Sequence, residues 1–326
     1  MTRILLWAAT VLFAFGTKAA ANERLRTYYD LKLVEAGVPV RLSYGPLSKY
    51  GRIETRHRGE WTFRAFPTLG YESNFNGGIG QNSVSINGIP FTVAPEQRSV
   101  EDGYAGLFAA LGGYNVLEPG HRLTFDLTGQ YARGLTTDLD TLSANLSACY
   151  AFDASNWTYL NLCASTNYAQ KDLSIDRVNG QRITLGKVFD TGPYPSALEL
   201  GLSKVESDNA RYDQASVDYH LITGSFSLDA GASASIAKSG HAPDHSVYAT
   251  LTKTFFGRPI SASLRHTRSS GGAFLGLQRE EKQNSFSLSM PLNRKLSFVM
   301  GYSRTTSPIE YFEKEEFTAR FAFMQF

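Results

Sequence analysis

Six histidines, two cysteines and a glycine-dense stretch are where chemistry would first be sought in this chain of 326 residues. His241 and His245 lie in Gly240-His-Ala-Pro-Asp-His245. A four-residue spacing brings two imidazoles to one metal ion only on a helix, and Pro243 opposes a helix. A solvated loop is the expectation there. Asn76-Gly-Gly-Ile-Gly80 has the glycine density of a phosphate-cradling loop but not the strand-to-helix setting such a loop needs, so it reads as a flexible connector. No nucleophile is paired with a base, and neither a catalytic residue, a metal nor a cofactor is expected. Cys149 and Cys163 flank the short connector Asp153-Ala-Ser-Asn156 and so fall on neighbouring strands. A cross-strand disulfide and two free buried thiols fit this spacing equally well.

The elements that must position these residues alternate in polarity. In His121–Tyr131, Leu123, Phe125, Leu127 and Tyr131 share one face, while Arg122, Thr124, Asp126, Thr128 and Gln130 share the other. That is the period of a strand with one apolar side. Asp140–Tyr150, Ser225–Ile236 and Ser285–Met290 repeat it. Such runs fall near 60–73, 99–115, 121–133, 138–152, 157–169, 180–190, 196–208, 213–222, 225–237, 244–256, 260–270, 280–291, 296–306 and 313–326.

The fourteen runs are joined by short turns that alternate with longer loops, above all 74–98, 171–179 and 271–279. An even number of strands with unequal connectors predicts an all-β fold, a transmembrane antiparallel β-barrel of about 14 strands. A soluble sandwich would carry many charges on its second face. Here that face is mostly Ser, Thr, Gly and Asn, and the mean hydropathy of −0.23 suits a wall of which half meets lipid. Closure also removes the sheet edges that lipid could not hydrogen-bond. Arg122, Asp126 and Gln130 are the lumen-facing candidates, and Cys149 and Cys163 share their phase.

Residues 1–21 read as a secretory leader, with one basic residue, an apolar run too short to span a bilayer, and Ala19-Ala20-Ala21 before Asn22. Residues 22–58 read as a periplasmic lead-in containing a short helix, with Asn22 as its cap and Gly37 at its end; residues 59–326 form the barrel. A net charge of +2 points to no nucleic-acid partner. Phe317, Ala319, Phe321 and Phe323 make an apolar stripe on the last strand, and the chain closes on Phe326. This resembles the C-terminal signature read by the bacterial barrel-assembly machinery. The expectation is an integral outer-membrane protein in contact with outer-membrane lipid, with both termini periplasmic.

Two stretches carry a family resemblance. Leu69-Gly-Tyr-Glu-Ser-Asn-Phe-Asn76 ends the first strand and supplies Gly70, Tyr71, Glu72, Ser73, Asn74 and Asn76. Arg304-Thr-Thr-Ser-Pro-Ile-Glu-Tyr311 leads into the last strand and supplies Ser307, Ile309 and Tyr311. Together they resemble the barrel domain of the surface lipoprotein assembly modifiers, the type eleven secretion translocators, over about residues 60–326. The resemblance implies a fourteen-stranded barrel that delivers a lipoprotein or secreted-protein client to the cell surface. The helical repeats that usually precede that barrel do not fit into residues 22–58. A passive, porin-like channel for small solutes is the alternative, and needs only the barrel.

Overall fold

A computed structural model describes residues 23–323, apart from 41–43, 54–58, 87, 224, 256–257 and 294–295. The expected leader, the cap at Asn22 and the terminal Phe326 lie outside the described residues. Fourteen strands close into one antiparallel barrel: β1 (Gly59–Glu72), then β4 (Asp102–Glu118), β5 (His121–Gly134), β6 (Asp140–Asp153), β7 (Thr158–Lys171), β8 (Ser174–Thr191), β9 (Tyr194–Ser207), β10 (Ala210–Ile222), β11 (Phe226–Gly240), β12 (Ala242–Phe255), β13 (Arg258–Phe274), β14 (Leu277–Pro291), β15 (Leu296–Thr306) and β16 (Lys314–Phe323). Between β1 and β4 lies a small hairpin outside the wall, β2 (Ser83–Ile86) with β3 (Ile89–Thr92).

All fourteen expected runs are strands of this barrel, and the phase of the alternation holds around it. Leu123, Leu127, Ile183, Leu200, Leu251, Leu264, Phe317 and Phe321 are exposed, so large apolar side chains cover the outer wall. Burying such side chains in lipid, with every strand paired on both sides, is what makes the barrel a transmembrane one. Closure comes from Thr68–Glu72 of β1, in register with Ala322–Thr318 of β16. Two Ser73 bonds extend it: its N–H donates to the Phe317 carbonyl at 3.1 Å, and its Oγ accepts from the Phe317 N–H at 2.9 Å.

Two of the expected long loops are corrected. The stretch 171–179 turns within Asp172-Leu173, and 271–279 turns within Leu275-Gly276. Leu275 (φ 49°) and Gly276 (φ 83°) both take the left-handed conformation that a tight two-residue hairpin requires. Polar residues in these stretches read as loop, yet they continue the ladder as strands that rise above the lipid. A bilayer needs only about 9–11 residues per tilted strand, whereas β8 has 18 and β13 has 17.

At one end, the helix end, two helices precede the wall: α1 (residues 23–35) and α2 (Tyr44–Lys49). Gly37 (φ 75°) ends α1 as expected. Its N–H donates to the Val34 carbonyl at 2.9 Å, and that of Val38 to Leu33 at 2.9 Å, which satisfies the last turn.

Candidate functional site

The lumen is the concave site of this fold, and the strand register states which residues line it. Across β11 to β15, Ser233, Ser246, Thr267, Gln283 and Thr305 stand side by side, and Asp229, Thr250, Ser263 and Ser287 form a parallel row. Neighbours in these rows satisfy one another: Thr267 Oγ1 donates to Ser246 Oγ at 3.0 Å and Thr250 Oγ1 to Ser263 Oγ at 2.9 Å.

Charges punctuate this hydroxyl wall. Arg182 Nη2 donates to Asp218 Oδ2 at 2.8 Å and to Ser216 Oγ at 3.1 Å, and Tyr248 donates to the other Asp218 oxygen at 2.5 Å. Gly231 lies beneath this group, and a Cβ there would collide with both Asp218 and the Tyr248 ring. The Arg265 guanidinium stands 5.3 Å from the Tyr248 ring centroid. On the opposite wall Arg320, carried by the last strand, donates to Gln130 at 3.2 Å. Asp126 is exposed to the lumen, so Gln130 and Asp126 sit where the alternation predicts.

Arg122 requires a correction. It has the lumenal phase but is only 2% exposed, because α1 and α2 lie over it. Strand alternation identifies a face; it cannot say what packs against that face. Arg122 and Arg24 share the Asp153 carboxylate, Arg24 Nε donating to Oδ1 at 2.7 Å. All three side chains are at most 2% exposed. The Arg24 guanidinium also lies over Tyr159, 3.5 Å from the ring centroid, which compensates part of its desolvation. Tyr159 donates to Glu199 Oε1 at 2.7 Å, Glu199 faces His220 at 3.9 Å, and His220 Nδ1 lies 2.6 Å from Asp229 Oδ1. One polar chain therefore runs from α1 across the inner surface of six strands.

Leu25, next to Arg24, and Tyr28, one helical turn beyond it, pack on Tyr159, Val188 and Ala197. Tyr28 meets Trp157 edge to face at 5.0 Å. Lys49 of α2 pairs with Glu23 at 2.5 Å, and Tyr50 is fully buried. Burial, and then the nearby Glu23 carboxylate, pushes the Tyr50 phenol far above its usual range. Arg52 donates to the Ser155 carbonyl at 2.7 Å and the Ala154 carbonyl at 2.9 Å, and stacks on Trp157. The described residues of the lead-in are thus packed inside the helix end. None of Arg24, Asp153, Tyr159, Glu199 or His220 was singled out by the sequence. The available signal was a cation on the apolar face of a short amphipathic helix.

The opposite mouth, the loop end, is crossed by residues 74–98. Phe75 packs on Tyr104 and Ala132, while Ile79, Val84 and Val93 pack against Phe274, Leu277 and Tyr311 on the far side. Lys171 at the tip of β7 pairs with Glu72 and donates to the Asn74 carbonyl at 2.7 Å. The Leu173 N–H donates to the Asn76 carbonyl at 3.0 Å.

The resemblance residues converge on this lid. Asn76 alone fixes three backbone groups: its Nδ2 donates to Arg98 O at 2.7 Å, and its Oδ1 accepts from Val100 at 2.9 Å and Gly78 at 3.1 Å. Asn74 donates to the Gly78 carbonyl at 3.1 Å and to Glu316 at 3.3 Å. Tyr71 donates to Glu101 at 2.5 Å, and Gly70 leaves room for the Tyr104 ring. Ser307 accepts from the Ile309 N–H at 3.2 Å and donates to the Glu280 carbonyl at 2.9 Å; Ile309 is 1% exposed; Tyr311 stacks on Phe274 at 5.1 Å.

Cys149 and Cys163 stand directly opposite one another on β6 and β7, with Cα atoms 4.1 Å apart, and are bonded. Their phase puts the bridge on the lumenal side. His241 is not in a solvated loop: it is buried, its Nε2 lies 3.3 Å from Glu281, and Arg279 holds the same carboxylate at 2.5 Å. The residues around it continue as strand, Gly240 pairing with Ala210 of β10 and Ala242 with Ser270 of β13, although β11 and β12 pair with each other only as far as Ala234 and His245. Among the described residues no three His, Cys, Asp or Glu side chains gather as metal ligands would.

No protein-family model matches the chain, and no curated protein matches it. Among solved structures it is similar to Pseudomonas putida OprB at high pH, with 9% identity over 81% of this chain and 93% of that one, and a TM-score of 0.47. It is also similar to Pseudomonas aeruginosa OccK9 (OpdG), with 9% identity over 79% and 97% and a TM-score of 0.40. A third, the KdgM porin, has 10% identity over 56% and 94% and a TM-score of 0.34. The barrel assignment rests on this chain's own strand register.

Proposed function

We propose that this chain is an outer-membrane channel for small polar solutes, stoppered at both mouths in its resting state. The observation that carries the reading is the continuous hydroxyl and amide wall inside a closed barrel whose exterior is apolar. Such a wall binds no solute strongly and holds water, which conduction requires. A barrel of this strand number is wider than its own side chains can fill, so water or an inserted segment must occupy the interior. The helix end would face the periplasm together with both termini, and the loop end the exterior.

Purified protein in planar bilayers tests this. The expected result is small, rare conductance for the full chain and much more frequent openings, limited only by the loop-end lid, once residues 22–53 are removed from the mature form. A truncated barrel that folds yet passes no ions would end the channel reading.

Delivery of a surface lipoprotein or secreted protein, which the resemblance implies, is the second reading. What favours it is the pair of stoppers, since a resting protein conduit has to keep small solutes out. Deleting the gene and probing intact cells for lost surface proteins separates the two. A channel leaves the surface proteome unchanged and slows uptake of a solute.

A further inference from the structure

The outer wall carries a sector whose charges are arranged unlike those of the rest of the barrel. Going round the loop end, most outward-facing cations of the described wall are matched with acids. Arg133 donates to Asp138 at 2.9 Å, Arg211 pairs with Glu206, and Lys204 stands opposite Asp213 in register.

On β12 to β15 acids are again at hand, but here cations also stand directly opposite one another. His245 is directly opposite Arg268, and Arg268 is directly opposite Lys282. One row lower, His266 is opposite Asn284, which is opposite Arg304. Cations placed directly opposite one another on neighbouring strands destabilise a sheet. Three acids lie close: Asp244, which pairs with Lys238 and feels the Arg268 charge; Glu280, 3.4 Å from Arg268 with both side chains about half exposed; and Glu315, opposite Arg304.

The row below is Leu264, Phe286, Tyr302 and Phe317, where the apolar belt begins. The basic sector therefore sits at the height where lipid tails give way to headgroups, on the side of the wall that faces lipid and not the lumen.

We propose that this sector, centred on Arg268, Lys282 and Arg304, is a binding site for the phosphorylated headgroup of a lipid in the leaflet that meets the loop end. The geometry suits a headgroup with two phosphates, since the two rows present cations over several strands. Arg268 and Arg304 offer planar donor forks, and Lys282 offers a point charge between them. The tails of the same lipid would lie along Leu264 and Phe286. An anion in this position relieves the like-charge opposition that the sheet otherwise carries. The proposal needs only the transmembrane barrel and is independent of whether the lumen conducts.

The test uses the folded full-length protein in detergent, with binding of a bisphosphorylated glycolipid followed by native mass spectrometry or by quenching of a labelled lipid. The expected result is saturable binding that the dephosphorylated form of the same lipid does not reproduce. Each charge is worth about fivefold in affinity, so Arg268→Gln with Lys282→Gln and Arg304→Gln lowers it about a hundredfold. Arg133→Gln with Arg211→Gln, in the matched sectors, leaves it unchanged. Equal binding of the phosphorylated and dephosphorylated lipids overturns the proposal without any variant. So does unchanged affinity in the folded triple variant. Competition by inorganic phosphate at the same concentration as the lipid would assign the site to a free anion and also overturn it.

Discussion

Arg24→Met tests whether the lead-in helices are a stopper. In the docked state Arg24 is 1% exposed, holds Asp153 at 2.7 Å and covers the Tyr159 ring at 3.5 Å. Methionine keeps the length and apolar bulk but loses both interactions. Removing one member of a buried ion pair costs about 3–5 kcal/mol. Asp153 retains Arg122, which places the loss near the lower limit, about 3 kcal/mol. At about 1.4 kcal/mol per tenfold change, the ratio of docked to undocked helix falls by about two orders of magnitude. The readout is the fraction of time a single barrel spends at its high conductance level in a planar bilayer. It should rise about a hundredfold, with faster amide exchange at Leu25 and no change in strands β12 to β15. Asp153→Asn, which strands two buried guanidinium groups, should act in the same direction and more strongly. Wild-type conductance and unchanged exchange at Leu25 in Arg24→Met would refute the stopper, even if overall stability fell.

Four further outcomes are expected. Purified protein should show no free thiol without reductant and two with it under denaturing conditions; the bridge should contribute about 3 kcal/mol to stability. Leu127→Arg, mid-strand on the lipid-facing wall of β5, should destabilise the barrel by about 2–4 kcal/mol in folding titrations, whereas Thr128→Arg, one residue away on the lumenal wall, should fold normally and lower conductance. Asn76→Ala removes three bonds that pin the loop-end lid, and should speed proteolysis between residues 77 and 98 and lengthen open bursts. Gly186→Ala puts a Cβ into the Tyr159 ring and should lower the melting temperature, and much of that loss should vanish in a Tyr159→Ala background because the two changes share one contact.

The fourteen strands and their inner and outer faces were legible because alternation is a local signal, imposed by the pleat on each residue in turn. The same signal placed Asp126, Gln130 and the two cysteines on the inner face, but left open whether the cysteines are bonded, which depends on their register. Arg122 shows where it stops: its neighbours come from α1 and α2, about seventy to a hundred residues earlier, and no periodicity records that contact. The hairpin tips at Asp172-Leu173 and Leu275-Gly276 were hidden for a different reason. Above the lipid both faces of a strand are polar, so alternation fades while the ladder continues. His241 was misread because its flanking residues, where Gly240 and Pro243 suggested a loop, pair instead with the outer neighbours β10 and β13.

Closing the two ends with segments that share no covalent hinge has a further effect. Passage demands coincidence: the shutter on each side must swing aside within the same interval, and the open fraction is the product of two independent odds. A stimulus that frees only one of them, whether a binding event outside or a partner inside, lifts the open fraction no higher than the odds of the other.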